Sequence, residues 1–200
     1  MKFHRNFAKL YILGPAKKLN VTNHPKDTSK GTHELEMNNV IYIERSDFRE
    51  VDAKGYKRLA PGKEVGLAHA GAVIKCNDYV KDSNGNVVEL KATIEWGLKT
   101  KPKGFIHWVS GGLEVEVRLY DKLFKSEDPS SVEKWLEDVN PESLVVKSKV
   151  FIDPYVKNAS TGTHFQFERT GYFVVDRDST PEKMVFNRVV SLKQEKWEDE

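Results

Sequence analysis

Alternation of apolar and polar residues at every second position is the feature that most restricts what this chain can fold into. The clearest run covers residues 88–96, with apolar side chains at Val88, Leu90, Ala92, Ile94 and Trp96. The residues between them are polar or charged. Because successive side chains of an extended strand point to opposite faces, this run predicts a strand with one buried face.

The remaining elements follow from similar patterns. Strands are predicted at residues 40–44, 104–110, 114–120, 143–150, 164–169, 172–175 and 183–191. Asn84-Gly85 predicts a two-residue hairpin turn within residues 72–96, since both residues tolerate positive φ angles. One helix is predicted over residues 128–139, with Asp128 as its cap and Pro129 in its first turn. A short helical turn is expected near residues 46–51.

Many short strands with little helix favour closed barrels, because closure leaves no unpaired strand edge. The chain has 200 residues, more than one barrel of such strands needs. We therefore expect a mainly β fold of two β-barrels, or one barrel with an insertion, with one or two short helices.

The charge is nearly balanced, with 32 basic and 30 acidic residues, so any surface that binds nucleic acid must be local. Cys76 is the only cysteine, which excludes an internal disulfide and suits a reducing compartment. The N-terminal apolar residues are interrupted too early for a signal peptide, and no run is long enough to span a membrane. We expect a cytoplasmic monomer without membrane contact.

Motifs of common enzymes are absent from the sequence. There is no GxxxxGK[ST] or GxGxxG phosphate loop, and the six histidines show no HExxH spacing. Cys76 falls in an alternating strand, where a lone cysteine is typically a small core residue. No catalytic residue, metal ligand or cofactor is therefore predicted, and the chain is interpreted as a binding protein.

Two segments combine basic and aromatic residues. Residues 54–63 hold four cations around Tyr56, which suits a loop that grips phosphates, although a solvated loop is the alternative. Residues 99–108 place Lys101 and Lys103 beside a proline, where phosphate contact and ordinary solubility are equally plausible. Phe105 and Trp108, which follow, are expected in the core rather than as stacking platforms.

A third segment covers residues 165–169. Alternation directs Phe165 and Phe167 to the core and Gln166 to the opposite face, where its amide offers a donor and an acceptor to a base edge. Arg169 falls on the core side unless Thr170-Gly171 bends the strand, so an ion pair with a buried acid competes with an RNA contact.

Eight strings in this sequence resemble, in order and with similar gaps, the C-terminal region of glutaminyl-tRNA synthetases, which are class I aminoacyl-tRNA synthetases. They are Asn23-His-Pro25, Tyr42-Ile-Glu-Arg-Ser-Asp-Phe48, Tyr56-Lys-Arg-Leu-Ala-Pro-Gly62, Ile106-His-Trp-Val-Ser110, Glu116-Val-Arg-Leu-Tyr-Asp-Lys-Leu-Phe124, Asn140-Pro-Glu-Ser143, Phe165-Gln-Phe-Glu-Arg-Thr-Gly-Tyr-Phe173 and Val185-Phe-Asn-Arg188. The resemblance covers most of the chain.

The resemblance implies two ribosomal-protein-like barrels that bind the anticodon stem-loop of glutamine tRNA. Residues 1–55 and 120–193 would form the proximal barrel, residues 56–119 the distal barrel inserted in it, and residues 194–200 an acidic tail. The catalytic domain of the same synthetase, which would bind ATP and magnesium through HIGH-type and KMSKS-type signatures, has no counterpart in these 200 residues. The chain alone is therefore expected to be inactive as a ligase.

The resemblance also implies roles for single residues. Pro25 would line the pocket of the middle anticodon base, Gln166 would hydrogen-bond that base, and Arg169 would lie nearby. Lys57 and Arg58 would serve the third base and its phosphate.

One departure concerns the first anticodon base. Gly66 and Ala68 stand where the family is expected to carry arginine, so the two alternatives are weaker recognition of this base and substitution by His69. Residues 1–20 also fit the family poorly.

Three alternatives remain open at this point. The chain could be a stand-alone ribosomal-type RNA-binding barrel, or the equivalent region of a eukaryotic glutamyl-tRNA synthetase. It could also be a barrel that binds no RNA, which acidic neighbours around Lys57 and Arg58 would favour.

Overall fold

The computed structural model describes residues 3–4, 7–24, 26–99 and 101–192, and it is mainly β, as predicted. Within these ranges the strands are β1 Phe3–His4, β2 Phe7–Leu13, β3 Lys17–Thr22, β4 Thr32–Met37, β5 Val40–Glu44, β6 Glu64–Leu67, β7 Ala72–Lys81, β8 Val87–Trp96, β9 Phe105–Ile106, β10 Trp108–Ser110, β11 Leu113–Tyr120, β12 Leu144–Ile152, β13 His164–Phe167, β14 Gly171–Val175 and β15 Val185–Ser191. The described residues divide into two compact units, each treated separately below.

Helical structure in the described ranges consists of short 3₁₀ segments at Thr28–Lys30, Arg45–Asp47, Pro129–Ser131 and Pro154–Asn158. The helix predicted over residues 128–139 was wrong beyond its first turn. Asp128 does cap that turn, accepting a hydrogen bond from the Ser130 amide at 3.1 Å. Trp135 and Leu136, however, are 54% and 69% exposed. Without a buried apolar stripe, tertiary packing does not extend the helix.

The first unit takes the described residues within Lys2–Leu113 and Phe151–Val156. Its main sheet has the strand order β10-β5-β2-β8-β7-β6-β9. The two edge strands, β9 and β10, are separated in the sequence by His107 alone, so the sheet curls round until it is nearly closed. A hairpin of β3 and β4 stands beside this barrel-like sheet as a separate pair of strands.

Core residues of the first unit come from the inward positions of the alternating strands. Leu10, Ile41, Ile74 and Leu90 are fully buried there, and so is Cys76, as predicted. Burial raises the pKa of the Cys76 thiol. Each large aliphatic side chain buried in this way contributes roughly 1.5–3 kcal/mol, which is why the alternation predicts the sheet well.

The predicted hairpin within residues 72–96 is confirmed as β7 and β8, but its turn is longer than expected. Lys81 pairs with Val87, which leaves a five-residue connection, Asp82–Asn86. Only Gly85 among these residues has a positive φ angle, 81°. The Asp82 carboxylate accepts backbone hydrogen bonds from Asn84 and Asn86 at 2.9 and 2.8 Å, and these bonds favour the longer turn.

The second unit takes the described residues within Glu114–Val150 and Lys157–Glu200. Its sheet has the order β12-β11-β15-β14-β13, with β11 parallel to β15. Phe167, Phe173 and Phe186 fill its core, and the rings of Phe167 and Phe173 stack with centroids 4.3 Å apart. Val117 on β11 is fully buried.

The grouping of strands differs from the ranges given for the two predicted barrels. β2 and β5, which lie within residues 1–55, share a sheet with β7 and β8 from residues 56–119. The proximal and distal barrel boundaries stay a prediction. The predicted acidic tail, residues 194–200, lies outside the described residues. Among the described residues, no helix has the length and apolar character to cross a membrane.

Candidate nucleic-acid interface

In the first unit, a loop between β5 and β6 carries the first basic segment. Its base is tied by two backbone hydrogen bonds, from Arg49 to the Leu59 carbonyl and from Leu59 to the Asp47 carbonyl, each 3.0 Å long. Gly55 and Gly62 take positive φ angles of 82° and 72°, which let the chain reverse within the loop. The loop is therefore a shaped element, held by its own backbone.

This loop and residues 101–103 enclose a groove of about 1090 Å³. Four lysines line it with exposed side chains: Lys54, Lys57, Lys101 and Lys103. No carboxylate within the described residues forms an ion pair with any of these four. The groove is a local concentration of positive charge on a chain whose charge is nearly balanced.

The acidic residues of the groove do not cancel this charge. Asp52 pairs with Lys63 at 2.6 Å, and this contact lowers the pKa of the Asp52 carboxyl. Glu64 is the other carboxylate that lines the groove. With five lysines against two acids, the lining favours an anionic ligand.

Tyr56 forms an ordered part of the groove wall. The Arg49 guanidinium lies 4.6 Å from the centre of the Tyr56 ring, and the Lys63 ammonium lies 5.3 Å from it. Lys63 also donates a hydrogen bond to the Tyr56 carbonyl. Burial raises the pKa of the Tyr56 phenol. These cation–π contacts fix the wall between the two ends of the loop.

Lys57 and Arg58 are neighbours in the sequence and were assigned together to the third base, but their surroundings differ. Lys57 lines the groove, whereas Arg58 is not among its lining residues. Arg58 forms a salt bridge of 2.6 Å with the fully buried carboxylate of Asp47, and its own side chain is 38% exposed. An acidic neighbour of Lys57 or Arg58 was the feature expected of a barrel that does not bind RNA. Arg58 has such a neighbour in Asp47, whereas Lys57 has none among the described residues. The role of Arg58 at the third base stays a prediction.

Residues 101–105 run close against the loop. A Cβ atom on Gly104 would lie 2.1 Å from the Lys57 carbonyl oxygen, so only glycine allows this approach. Gly66 donates a backbone hydrogen bond to the Gly104 carbonyl at 3.0 Å. Lys101 and Lys103 are thereby brought to the same groove as Lys57.

The expectation that Phe105 and Trp108 are both core residues was half wrong. Trp108 is fully buried, and its indole nitrogen donates to the Ala68 carbonyl at 3.0 Å. Phe105 is 46% exposed. In the single strand predicted over residues 104–110, residues three positions apart would lie on opposite faces, so only one of the two would point inward. That alternation is the signal that would have found Phe105.

Two predicted residues lie away from this groove or cannot be placed. His69 is exposed in the turn that follows β6, with a φ angle of 64°. Lys63, which lines the groove, precedes the same strand. The two residues therefore lie at opposite ends of β6. Pro25 lies outside the described residues.

In the second unit, Gln166 and Arg169 belong to the hairpin of β13 and β14. Gln166 is exposed on β13 directly opposite Tyr172, and Phe167 beside it is buried, as alternation predicts. The strand ends after Phe167, and Arg169 takes a positive φ angle of 66° in the turn that follows. Arg169 is exposed because of this bend, the condition that the sequence left open.

The sequence did not single out every residue of this interface. Lys54 and Lys63 stood in the basic segment without an assigned role, and the pairing of Lys63 with Asp52 has no signal in the sequence. Tyr172 is exposed beside Gln166, and its alternation with Phe173 could have indicated this.

Two family models match the chain, and both describe the anticodon-binding domain of class I tRNA synthetases (E and Q). One matches residues 4–95 and the other residues 105–176. The matched ranges include β2 to β8 and the groove loop in the first case, and β9 to β14 with Gln166 in the second.

Similar proteins include glutamine–tRNA ligases from eukaryotes and bacteria. The chain is 48% identical to the Lupinus luteus enzyme over 174 residues, 84% of this chain and 22% of that protein. It is 44% identical to a probable glutamine–tRNA ligase of Dictyostelium discoideum over 186 residues, 90% of this chain and 24% of that protein. It is 43% identical to the Aliivibrio salmonicida enzyme over 198 residues, 94% of this chain and 35% of that protein.

The chain thus spans about a quarter to a third of the length of these relatives. The two family matches together run from residue 4 to residue 176 and agree with the mainly β, barrel-like architecture and with the basic groove. The chain belongs to the family of anticodon-binding domains of class I (E and Q) tRNA synthetases.

Proposed function

We propose that this chain recognises the anticodon loop of glutamine tRNA as part of a glutaminyl-tRNA synthetase. The observation that carries the proposal is the groove of the first unit, where Lys54, Lys57, Lys101 and Lys103 are exposed and form no salt bridge with a carboxylate among the described residues. Phosphate groups of a single-stranded loop match such a lining, and splayed bases expose the edges that specificity requires. The relatives described above, which are named glutamine–tRNA ligases, support glutamine over glutamate.

All predicted contact residues except His69 receive a role under this proposal. Lys57, Lys101 and Lys103 hold phosphates of the loop. Gln166 reads the edge of the middle base and Arg169 supports that contact. Pro25 and Arg58 are proposed at the middle and third bases from the resemblance.

Other parts of the proposal concern the whole synthetase. We place ATP and magnesium in a catalytic domain beyond this chain, and we regard that domain as a partner in cis. We further propose a cytoplasmic monomer. An adenylation assay on the isolated chain should show no glutamine activation.

Binding of an anticodon stem-loop tests the central claim. The whole chain should bind the stem-loop of glutamine tRNA with a dissociation constant that rises steeply with salt, as counterion release requires. Replacing the middle base should weaken binding by about 5- to 150-fold, since a bidentate contact contributes about 1–3 kcal/mol. Indifference to all three anticodon bases, or a preference for ribosomal RNA fragments, would overturn the proposal.

Charge-matched variants sharpen this experiment. Lys101→Ala/Lys103→Ala removes two groove cations, and Lys147→Ala/Lys149→Ala removes two exposed cations from β12. The first pair should lose affinity and salt dependence, and the second should retain both. Equal losses of RNA affinity in the two double variants would mean that the groove lysines contribute no more to binding than other exposed lysines.

Variants of Gln166 distinguish a role in base recognition from a role in folding. Gln166→Ala should lower discrimination at the middle base while leaving the unfolding temperature near that of the wild type, because the side chain is exposed. Gln166→Glu keeps the size and removes the amide donor, so it should also lose discrimination. A fall in unfolding temperature with unchanged discrimination would assign Gln166 to the fold.

A further inference from the structure

Phe105 occupies an unusual position beside the groove. It is 46% exposed, although the next residue, Ile106, is fully buried and begins the inward face of the strand. β9 runs parallel to β6, and Phe105 pairs with Gly66 across them. The ring therefore stands on the outer face of the sheet next to Lys103 and Pro102, which line the groove.

Gly66 provides the seat on which this ring lies. A Cβ atom at Gly66 would come within 2.5 Å of two ring atoms of Phe105, Cδ1 and Cε1, and within 2.8 Å of Pro102 Cγ. Any side chain at position 66 would occupy the place of the ring. The absence of a side chain there lets both Phe105 and Pro102 lie close over the backbone of β6.

The surroundings of the ring indicate its ligand. One side of Phe105 is supported by Gly66 and Pro102, and the exposed remainder lies in a segment with Lys101 and Lys103, neither paired with a carboxylate of the described chain. Bases of single-stranded nucleic acids stack on aromatic rings that lie beside cations, and those cations contact the phosphate backbone of the nucleic acid.

We propose that Phe105 is a stacking platform for one unstacked base of the anticodon loop, with Gly66 as its seat. This inference rests on the proposed anticodon binding and adds a contact that reads no base edge. Lys101 and Lys103 hold the phosphates on either side of the stacked base. Gly66, where an arginine was expected, is in this view required for the platform.

A binding cycle with abasic nucleotides tests the platform. Affinities of the whole chain are measured for the stem-loop of glutamine tRNA and for three versions in which one anticodon nucleotide at a time is abasic. Phe105→Ala should weaken binding of the intact loop by about 5- to 150-fold, the range for loss of one base stack. With one of the three abasic loops, the variant and the wild type should bind alike, within about twofold.

Four further variants separate stacking from folding. Phe105→Tyr keeps a ring and should bind like the wild type, whereas Phe105→Leu keeps an apolar side chain of similar reach and should bind like Phe105→Ala. Gly66→Ala leaves Phe105 in place but displaces its ring, so it should lose affinity as well. Trp135→Ala removes an exposed aromatic residue of the other unit and serves as the control.

The outcomes are distinct for the two proposals. A wild-type chain that ignores every anticodon base refutes anticodon recognition itself. A wild-type chain that does discriminate, combined with a Phe105→Ala loss that persists for all three abasic loops, refutes the platform alone. If Phe105→Ala unfolds, equal affinities of Phe105→Leu and the wild type would also overturn it.

Discussion

The salt bridge between Arg58 and Asp47 should contribute measurably to the stability of the first unit. Asp47 is fully buried, so its carboxylate depends on partners inside the protein. Removing the partner of a fully buried ion pair costs about 3–5 kcal/mol, whereas an exposed pair contributes about 0–1 kcal/mol. The Arg58 side chain is 38% exposed, which screens the interaction, and we expect Arg58→Met to lower the unfolding free energy by about 2 kcal/mol.

Urea unfolding followed by tryptophan fluorescence measures this effect, because Trp96 and Trp108 both lie in the first unit. Lys57→Met is the matched control, since Lys57 has no carboxylate partner among the described residues and its loss should change stability by less than about 0.5 kcal/mol. Asp47→Asn, alone and combined with Arg58→Met, completes a double-mutant cycle. The coupling between the two substitutions should exceed about 1 kcal/mol.

A loss below about 0.5 kcal/mol for Arg58→Met, with no coupling to Asp47→Asn, would refute this reasoning. RNA affinity measured on the folded variant then tests the predicted contact with the third base. A variant that is destabilised but binds normally would assign Arg58 to the fold alone.

Three further predictions concern other parts of the chain. Gly171→Ala should destabilise the second unit by about 1–3 kcal/mol in thermal unfolding, because a Cβ atom there would lie 2.4 Å from the Val190 carbonyl oxygen; an unchanged unfolding temperature would contradict it. The Glu116 carboxyl, hydrogen-bonded by Lys183 and Arg118, has a pKa below its ordinary value, so it stabilises the folded state above pH about 4.5 and loses that contribution as the pH falls through its lowered pKa. Glu116→Gln should therefore be less stable than the wild type at pH 7, and the gap should narrow in acid; a constant gap from pH 7 to pH 3 would be inconsistent with this linkage. The Lys101→Ala/Lys103→Ala variant should reduce the slope of log affinity against log salt by about 1 to 2, measured by titration at several salt concentrations, and an unchanged slope would exclude phosphate contacts by both residues.

Much of the sheet structure could be predicted from alternation alone. β5 is bounded as predicted, and β7, β8, β11 and β14 agree within a few residues. β1, β2, β3, β4 and β6 were not predicted. In β2 the buried positions include the small Ala8, and β6 has only four residues with glycine among them, so neither gives a strong pattern.

The helix failed for a reason that a sequence pattern does not contain. Spacing at residues 132–139 suits a helix, but a helix of this length depends on a surface that buries its apolar stripe. In the structure Trp135 and Leu136 remain exposed, and turns replace the helix. Local spacing says nothing about whether such a surface exists.

The candidate site shows a similar division. Gln166 was placed correctly on the exposed strand face, because alternation is a local signal, whereas the side on which Arg169 lies was left open, since it depends on whether Thr170-Gly171 bends the strand. The partner of Arg58 was not predictable, since Asp47 reaches it across the base of a loop. The approach of Gly104 to Lys57, which assembles the groove, depends likewise on contacts between distant segments.

The contact between Gly66 and Phe105 also constrains the order in which positions 66 and 105 can change by mutation. A single substitution that places arginine at position 66 meets the Phe105 ring at 2.5 Å, whereas after replacement of Phe105 by a smaller residue only the Pro102 side chain, at 2.8 Å, would still have to shift. Positions 66 and 105 should therefore be epistatic. Among related chains, we expect a large residue at position 66 to occur together with a small one at position 105, so that arginine and the aromatic ring are alternative occupants of one place on the barrel.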